Sequence, residues 1–289
     1  MKDRPWDFMA KDTPSRDWTE GLGVLITVAF FCGGIAGGLY LYSLYINNLW
    51  GMFIGWTFAF AMGIFDLIHL HNKKSVWKML MRPNSSWISR GFLFVILFIG
   101  SAAIQMALMY WSAGNPMDMV FKVISGVMAL GVATYSGFVV SYVSSVKFWH
   151  SAVMPVLFIA AGLAGGASII LLIINFDGAV LFATTKTFTM SILAVYATII
   201  ALHMWISTYN STTAKHSVMS IVRGNLALVF WLVVVLMGVA APMGLIPLMS
   251  LKSPALPALN AAFVLTGNLA LRYVILSAGR YSSLLPEAN

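Results

Sequence analysis

The chain has 289 residues, of which 60% are hydrophobic and 9% are Asp, Glu, Lys or Arg. Soluble domains carry about 25% charged residues and about 45–50% apolar ones. With a mean hydropathy of +0.87 over the full length, a soluble enzyme on one anchor, a secreted scaffold and a disordered chain are excluded. The fold class that remains is an all-α integral membrane protein with many spans.

The first 20 residues hold four basic and five acidic side chains and no apolar stretch. No cleavable signal peptide is expected there, and insertion falls to the first membrane helix. A spanning helix needs about 20 apolar residues. Eight segments satisfy this: 21–47, 49–70, 88–111, 119–144, 148–175, 187–207, 223–245 and 256–279. Turn residues or charges break them at Asn47-Asn48, Gly114-Asn115-Pro116, Lys147, Asp177-Gly178, 209–216 and 247–257. The one long internal connection is 71–87. Its stretch 74–81 sets Val76, Trp77, Met79 and Leu80 beside Lys74 and Lys78, a pattern expected to lie in the interface as a short amphipathic helix ended by Pro83. The expected organisation is a polar segment 1–20, an eight-helix membrane domain 21–279 and a tail 280–289, with no room for a soluble catalytic domain.

Eight spans put both termini on one side. That side then receives 13 of the 17 Lys and Arg residues, the opposite side receives three, and Arg272 falls inside the last span. The positive-inside rule places both termini in the cytoplasm. A basic face that docks an acidic partner is the rival reading. The net charge of +8 is spread without a long basic cluster, so the expected partner is the lipid bilayer and not nucleic acid. The single cysteine, Cys32, excludes a disulfide framework or a cysteine-ligated iron–sulfur cluster within the chain. Gly33, Gly34, Gly37 and Gly38 give the first span two GxxxG spacings, and Gly162, Gly165 and Gly166 with Ala161 mark the fifth in the same way. Small residues at this spacing let helix backbones approach closely in lipid. The similarity of the two segments hints at an internal repeat.

Ionisable groups inside spans are costly and mark function by default. Asp66 lies near the end of the second span, with His69 one turn on, on the same face. Tyr135 lies in the last third of the fourth span, His150 opens the fifth, His203 is near the end of the sixth, Asn225 opens the seventh and Arg272 is near the end of the eighth. Even-numbered spans run toward the terminus side and odd-numbered ones start there, so all of these share one leaflet. The opposite half keeps little polarity beyond Gln105. The pattern predicts a polar pocket open to one membrane face. Asp66 and Arg272 are the most expensive groups to leave unpaired, and they are expected to pair or to share a water network. Taken singly, His150 and His203 also fit structural roles, Tyr135 fits an interface anchor and Arg272 can snorkel.

Four blocks in this leaflet resemble the NrfD-like membrane subunits, the family of the polysulfide reductase membrane subunit. They are Phe65-Asp66-Leu67 with the stretch 82–91, Tyr135-Ser136-Gly137, Phe148-Trp149-His150 with the stretch 154–158, and Gly267-Asn268-Leu269-Ala270-Leu271-Arg272-Tyr273. The resemblance runs in family order over residues 21–281. It implies two four-helix bundles and no haem or metal in this chain. It implies a quinone, menaquinone or another, held at one membrane face. The implied partners are an iron–sulfur electron-transfer subunit and a catalytic subunit, often molybdopterin-dependent. By this resemblance Asp66 and Tyr135 inherit the quinone site: Tyr135 to bond a carbonyl, Asp66 with His69 to relay protons. His150, His203 and Arg272 join the candidate set through the leaflet they share with them.

The sequence departs from the family where Asp66-Leu67-Ile68-His69-Leu70 lacks the usual Gly and Pro, and where 21–31 carries Thr27 as its one polar side chain instead of a His or Asn. A second reading therefore stays open: a quinone-independent anchor or proton-conducting subunit of an electron-transfer complex, for example with a reductive dehalogenase or a molybdopterin enzyme. Two other classes fit less well. A dihaem cytochrome needs paired axial histidines, and His150 with His203 make at most one pair. A secondary transporter needs broken helices at the midplane and inverted repeats, and neither is evident.

Overall fold

The computed structural model describes residues 12–69, 81, 83–84, 86–112, 114–176 and 178–283. Eight helices in it are long and apolar enough to cross a membrane: α1 (Gly21–Tyr45), α2 (Leu49–His69), α3 (Trp87–Trp111), α4 (Pro116–Ser141), α5 (Val153–Phe176), α6 (Ala179–Asn210), α8 (Val229–Leu248) and α9 (Ala255–Ser277). The short helix α7 (Thr212–Val222) separates the sixth and seventh spans. The amphipathic helix expected at 74–81 lies, but for Met81, outside the described residues, as do His71, Arg82 and Asp177.

Local chemistry sets the boundaries. Asn115 accepts the Met117 N–H at 2.9 Å and Pro116 opens the first turn of α4. Both features suit a helix start. Ser211 caps α7 in the same way, through the Ala214 N–H at 3.1 Å. This helix sits where a plain break is expected. The sixth span begins earlier than expected, because Lys186 is a helical residue and not part of a loop. Its ammonium donates to the Pro247 and Met249 carbonyls at 3.3 and 3.0 Å, at the end of α8. The fifth span starts later than expected. Phe148 and Trp149 are buried before it, and the Trp149 indole donates to the Ile275 carbonyl at 2.8 Å. From Val229 to Ala240 the seventh span is wound as a wide π-type helix.

The spans pack as two related groups of four. Helix α1 contacts α2 and α4, α5 contacts α6 and α9, and the pairs α3–α4 and α8–α9 correspond. Between the groups, α1 meets α5 directly, α4 meets α5, and α9 meets α1. The α1–α5 contact is made by the two glycine stripes. A Cβ added at Gly162 would lie 2.9 Å from the Gly34 carbonyl carbon, and one at Gly166 would lie 2.7 Å from that of Gly38. The two similar segments thus meet each other at the centre of the molecule.

The two ends of the described chain are tied at one end of the bundle. β1 (Thr13–Pro14) pairs antiparallel with β2 (Arg280–Tyr281). Ser15 donates to the Leu276 and Gly279 carbonyls, and Asp12 meets Arg280 at 3.4 Å and His216 of α7 at 3.3 Å. This strap carries the chain back to the start of α1, across the mouth of the cavity described next.

Candidate functional site

A cavity of about 540 Å³ lies within the first group of helices, toward the end where the termini meet. One stripe of α2 lines it with Phe60, Gly63, Ile64 and Leu67. These positions share a face because they are three and four residues apart. Phe92, Val95, Ile96 and Ile99 of α3 supply the facing wall at the same spacing, and Ile26 and Phe30 of α1 close the back. Among the described residues, the ionisable groups that line it are Asp66 and His69 of α2, Tyr135 of α4 and Asp17 of the strap.

Asp66 and Tyr135 meet inside this apolar shell. The Tyr135 hydroxyl donates to Asp66 Oδ2 at 3.2 Å, across 69 residues of sequence. Tyr135 is buried, and its ring is met edge-on by Phe30 at 6.1 Å between centroids. Gly91 of α3 makes room for that ring, since a Cβ there would run into it, with the ring Cγ at 2.8 Å. Gly91→Ala is therefore expected to displace Tyr135 and to lower site function by roughly the amount of Tyr135→Phe. Comparing the two variants in the same turnover assay checks this. His69 Nδ1 lies 3.0 Å from the Leu22 carbonyl. A carbonyl can only accept, so Nδ1 carries the proton and Nε2 is the ring's remaining polar atom. At the mouth, Trp18 is fixed by its indole bond to the Tyr281 hydroxyl at 3.2 Å and by an edge contact with Trp149 at 5.0 Å. Asp17 beside it is exposed.

Of the two arrangements expected for Asp66 and Arg272, a direct pair or a shared water network, the direct pair is corrected by this geometry. Arg272 is fully buried on α9, against α1 and α5. Its Nε donates to the Phe30 carbonyl at 3.1 Å, its Nη1 bonds both the Asn268 carbonyl and the Asn268 side chain, and the guanidinium stands over Phe158 at 5.1 Å. The charge is held by carbonyl oxygens and an aromatic face instead of a carboxylate. His203 is fully buried on α6 with its ring 4.9 Å from Phe148. His150 does not open a span. It is exposed in the loop before α5, and its Nδ1 lies 2.8 Å from the Ser141 carbonyl. The structure thus brings Asp66, His69 and Tyr135 to one cavity, while His150, His203 and Arg272 are not on its lining.

Residues 20–282 match the family described as "Polysulphide reductase, NrfD". The protein belongs to this family. It is also 31% identical to a polysulfide reductase subunit of Wolinella succinogenes over 183 residues, which is 59% of this sequence and 55% of that protein. The aligned region therefore spans about half the length of that relative. As an NrfD-family member with eight apolar spans, it is a multi-pass membrane protein.

Three features of the site escape the sequence reading. Asp17 and Trp18 of the strap line the cavity, although the first 20 residues read as a plain polar segment. Gly91 reads as part of a motif, and its contact with Tyr135 emerges in three dimensions. The opposite half of the membrane domain is also more polar than expected. Asn175 and Asn260 are fully buried there, Tyr42 donates to Thr185 at 3.0 Å, and Gln105 donates to Asp118 at 2.7 Å.

Proposed function

We propose that this protein is the membrane subunit through which a respiratory oxidoreductase exchanges electrons and protons with a quinone, menaquinone or a related one. The observation that carries this reading is the Asp66–Tyr135 pair set in an apolar cavity of about 540 Å³. Ligand sites of this kind are mostly apolar, with a few convergent polar groups that fix orientation. A quinone bound there supplies two-electron, two-proton redox chemistry. The walls from α2 and α3 exclude water and suit a flat ring with an apolar tail. Tyr135 turns its hydroxyl from Asp66 to a ligand oxygen, and Asp66 then holds or returns a proton at Oδ2. His69 Nε2 and the exposed Asp17 continue the polar path from Asp66 to the mouth. Among the described residues the lining carries Asp17 and Asp66 and no Lys or Arg, a balance that suits a neutral ring better than an anionic sulfur chain.

Family membership supports partners on the terminus side: an iron–sulfur subunit, and behind it a catalytic subunit of the molybdopterin type. The mouth beside Trp18 brings the cavity to that face. The distribution of Lys and Arg favours the cytoplasmic side for it. The test is to purify the complex and extract its quinone. About one molecule per membrane subunit is expected, displaced by a quinone-site inhibitor. A complex without quinone, in which Asp66→Asn and Tyr135→Phe leave quinone-linked turnover unchanged, overturns the proposal.

A second reading, a proton-conducting anchor, is favoured by one observation. Thr185, Thr189, Tyr196 and His203 are buried along one face of α6, and Asn260, Asn268 and Arg272 along α9. Tyr196 Oη, both His203 nitrogens, both Asn260 amide atoms and Arg272 Nη2 have no protein partner among the described residues. Buried polar groups of this kind are served by ordered water. Under this reading, complex in liposomes moves protons during turnover and Tyr196→Phe with His203→Leu abolishes that movement without lowering electron transfer. Unchanged proton movement rules it out.

A further inference from the structure

A second groove, of about 470 Å³, lies on the other side of α4 from the cavity and at the same end of the bundle. Phe138 and Ser141 of α4 form one wall, Val156 and Ile159 of α5 form the other, and His150 with Ser151 close the end. Val156 is 51% exposed and Tyr142 is 67% exposed, so the groove opens sideways to the acyl region of the membrane. What enters from there is a membrane amphiphile.

The polar end of the groove is set up for negative charge. His150 Nδ1 donates to the Ser141 carbonyl at 2.8 Å, which fixes the ring at the end of the groove with Nε2 as an acceptor in the neutral form, so the attraction for an anion comes from the neighbouring cations. Trp87, stacked on Phe138 at 4.3 Å, carries the Arg90 guanidinium 4.5 Å above its ring. Two carbonyls, of Pro83 and Asn84, occupy Arg90 Nε and Nη2, so Nη1 retains donor capacity. Lys147 is exposed in the loop that bears His150. Among the described residues of the stretches 81–91, 134–142 and 145–159, Arg90 and Lys147 are the cations, and there is no Asp or Glu. Basic pockets between spans at one membrane face attract anionic lipid headgroups.

We propose that this groove binds an anionic phospholipid, with its phosphodiester at the His150 end between Arg90 and Lys147 and its acyl chains along Val156 and Ile159. The Ser141 and Thr134 hydroxyls already donate to helix carbonyls at 3.1 and 2.9 Å. They offer no free donor, whereas Ser151, whose Oγ accepts from the Val153 N–H at 3.2 Å, keeps its O–H for a phosphate oxygen beside the surrounding cations.

The test uses the purified complex in phosphatidylcholine nanodiscs with phosphatidylglycerol bearing a photoreactive acyl chain. Labelling is expected within 150–159, competed by unlabelled phosphatidylglycerol but not by added phosphatidylcholine. Lys147→Gln combined with His150→Gln is expected to reduce it at least fivefold while partner subunits stay bound. Equal competition by phosphatidylcholine shows an ordinary annular lipid and overturns the proposal. Competition by a quinone assigns the groove to that ligand and overturns it as well. The competition experiment on the unaltered complex decides the matter even if the double variant fails to assemble.

Discussion

Asp66→Asn is expected to lower quinone-linked turnover by about 100-fold, because general acid–base catalysis contributes about 10²–10⁴-fold. The substitution keeps the shape of the side chain and removes its ability to take a proton. Asparagine still accepts from the Tyr135 hydroxyl through its amide oxygen, so the ring stays in place and the loss falls on kcat. Tyr135→Phe removes one hydrogen bond, for which a net of about 0.5–1.5 kcal/mol is typical. Its effect is expected on KM, as a rise of roughly 3- to 10-fold by the same arithmetic. Since the two groups bond each other at 3.2 Å, their effects should not add. Steady-state kinetics with a soluble quinol analogue separate the parameters. Electron transfer from an artificial donor directly to the partner subunits is the control and should be unchanged. An Asp66→Asn complex with kcat within twofold of the parent removes Asp66 from the proton path.

The depth of each polar group is legible in the sequence, and its direction around the helix is not. Hydropathy and turn residues mark where a span starts and stops, so the distance of Asp66, Tyr135, His203 and Arg272 from a membrane face follows by counting. Which neighbour each side chain faces depends on how the helices are arranged. Charge alone joins Asp66 to Arg272. The packing instead turns Arg272 toward the Phe30 carbonyl and Asn268, and turns Asp66 toward Tyr135. The strap is illegible for a related reason. A polar segment such as 12–20 gives no periodic signal, and its course across the cavity mouth is set by partners more than 260 residues away, Leu276 and Gly279 among them. The start of α6 is hidden because Lys186 beside three threonines reads as a break. A lysine near a helix end can instead remain helical and reach carbonyls at the interface.

Gly162→Leu is expected to prevent assembly of the membrane domain. Between helices in lipid there is little hydrophobic driving force, and association rests on close backbone packing. Here α1 and α5, the two most enclosed spans, meet through Gly34, Gly38, Gly162 and Gly166. A Cβ at Gly162 would stand 3.3 Å from the Gly34 Cα and 2.9 Å from its carbonyl carbon, and backbone cannot rotate away as a side chain can. Overpacking costs about 1–3 kcal/mol where neighbours can shift. The further cost comes from Arg272. Its Nη2 packs beside Gly34 and its Nε bonds Phe30 on the same helix. Pushing α1 away from α5 therefore strips partners from a buried charge, which costs about 3–5 kcal/mol. Gly162→Ala should show an intermediate loss. Gly100→Ala and Gly244→Ala, where an added Cβ meets nothing within 4 Å, should leave stability unchanged or slightly raised. Thermal unfolding in detergent, followed by size-exclusion of the complex, measures the series. A Gly162→Leu protein that assembles with an unchanged midpoint would show that the two groups of helices are not held by this contact.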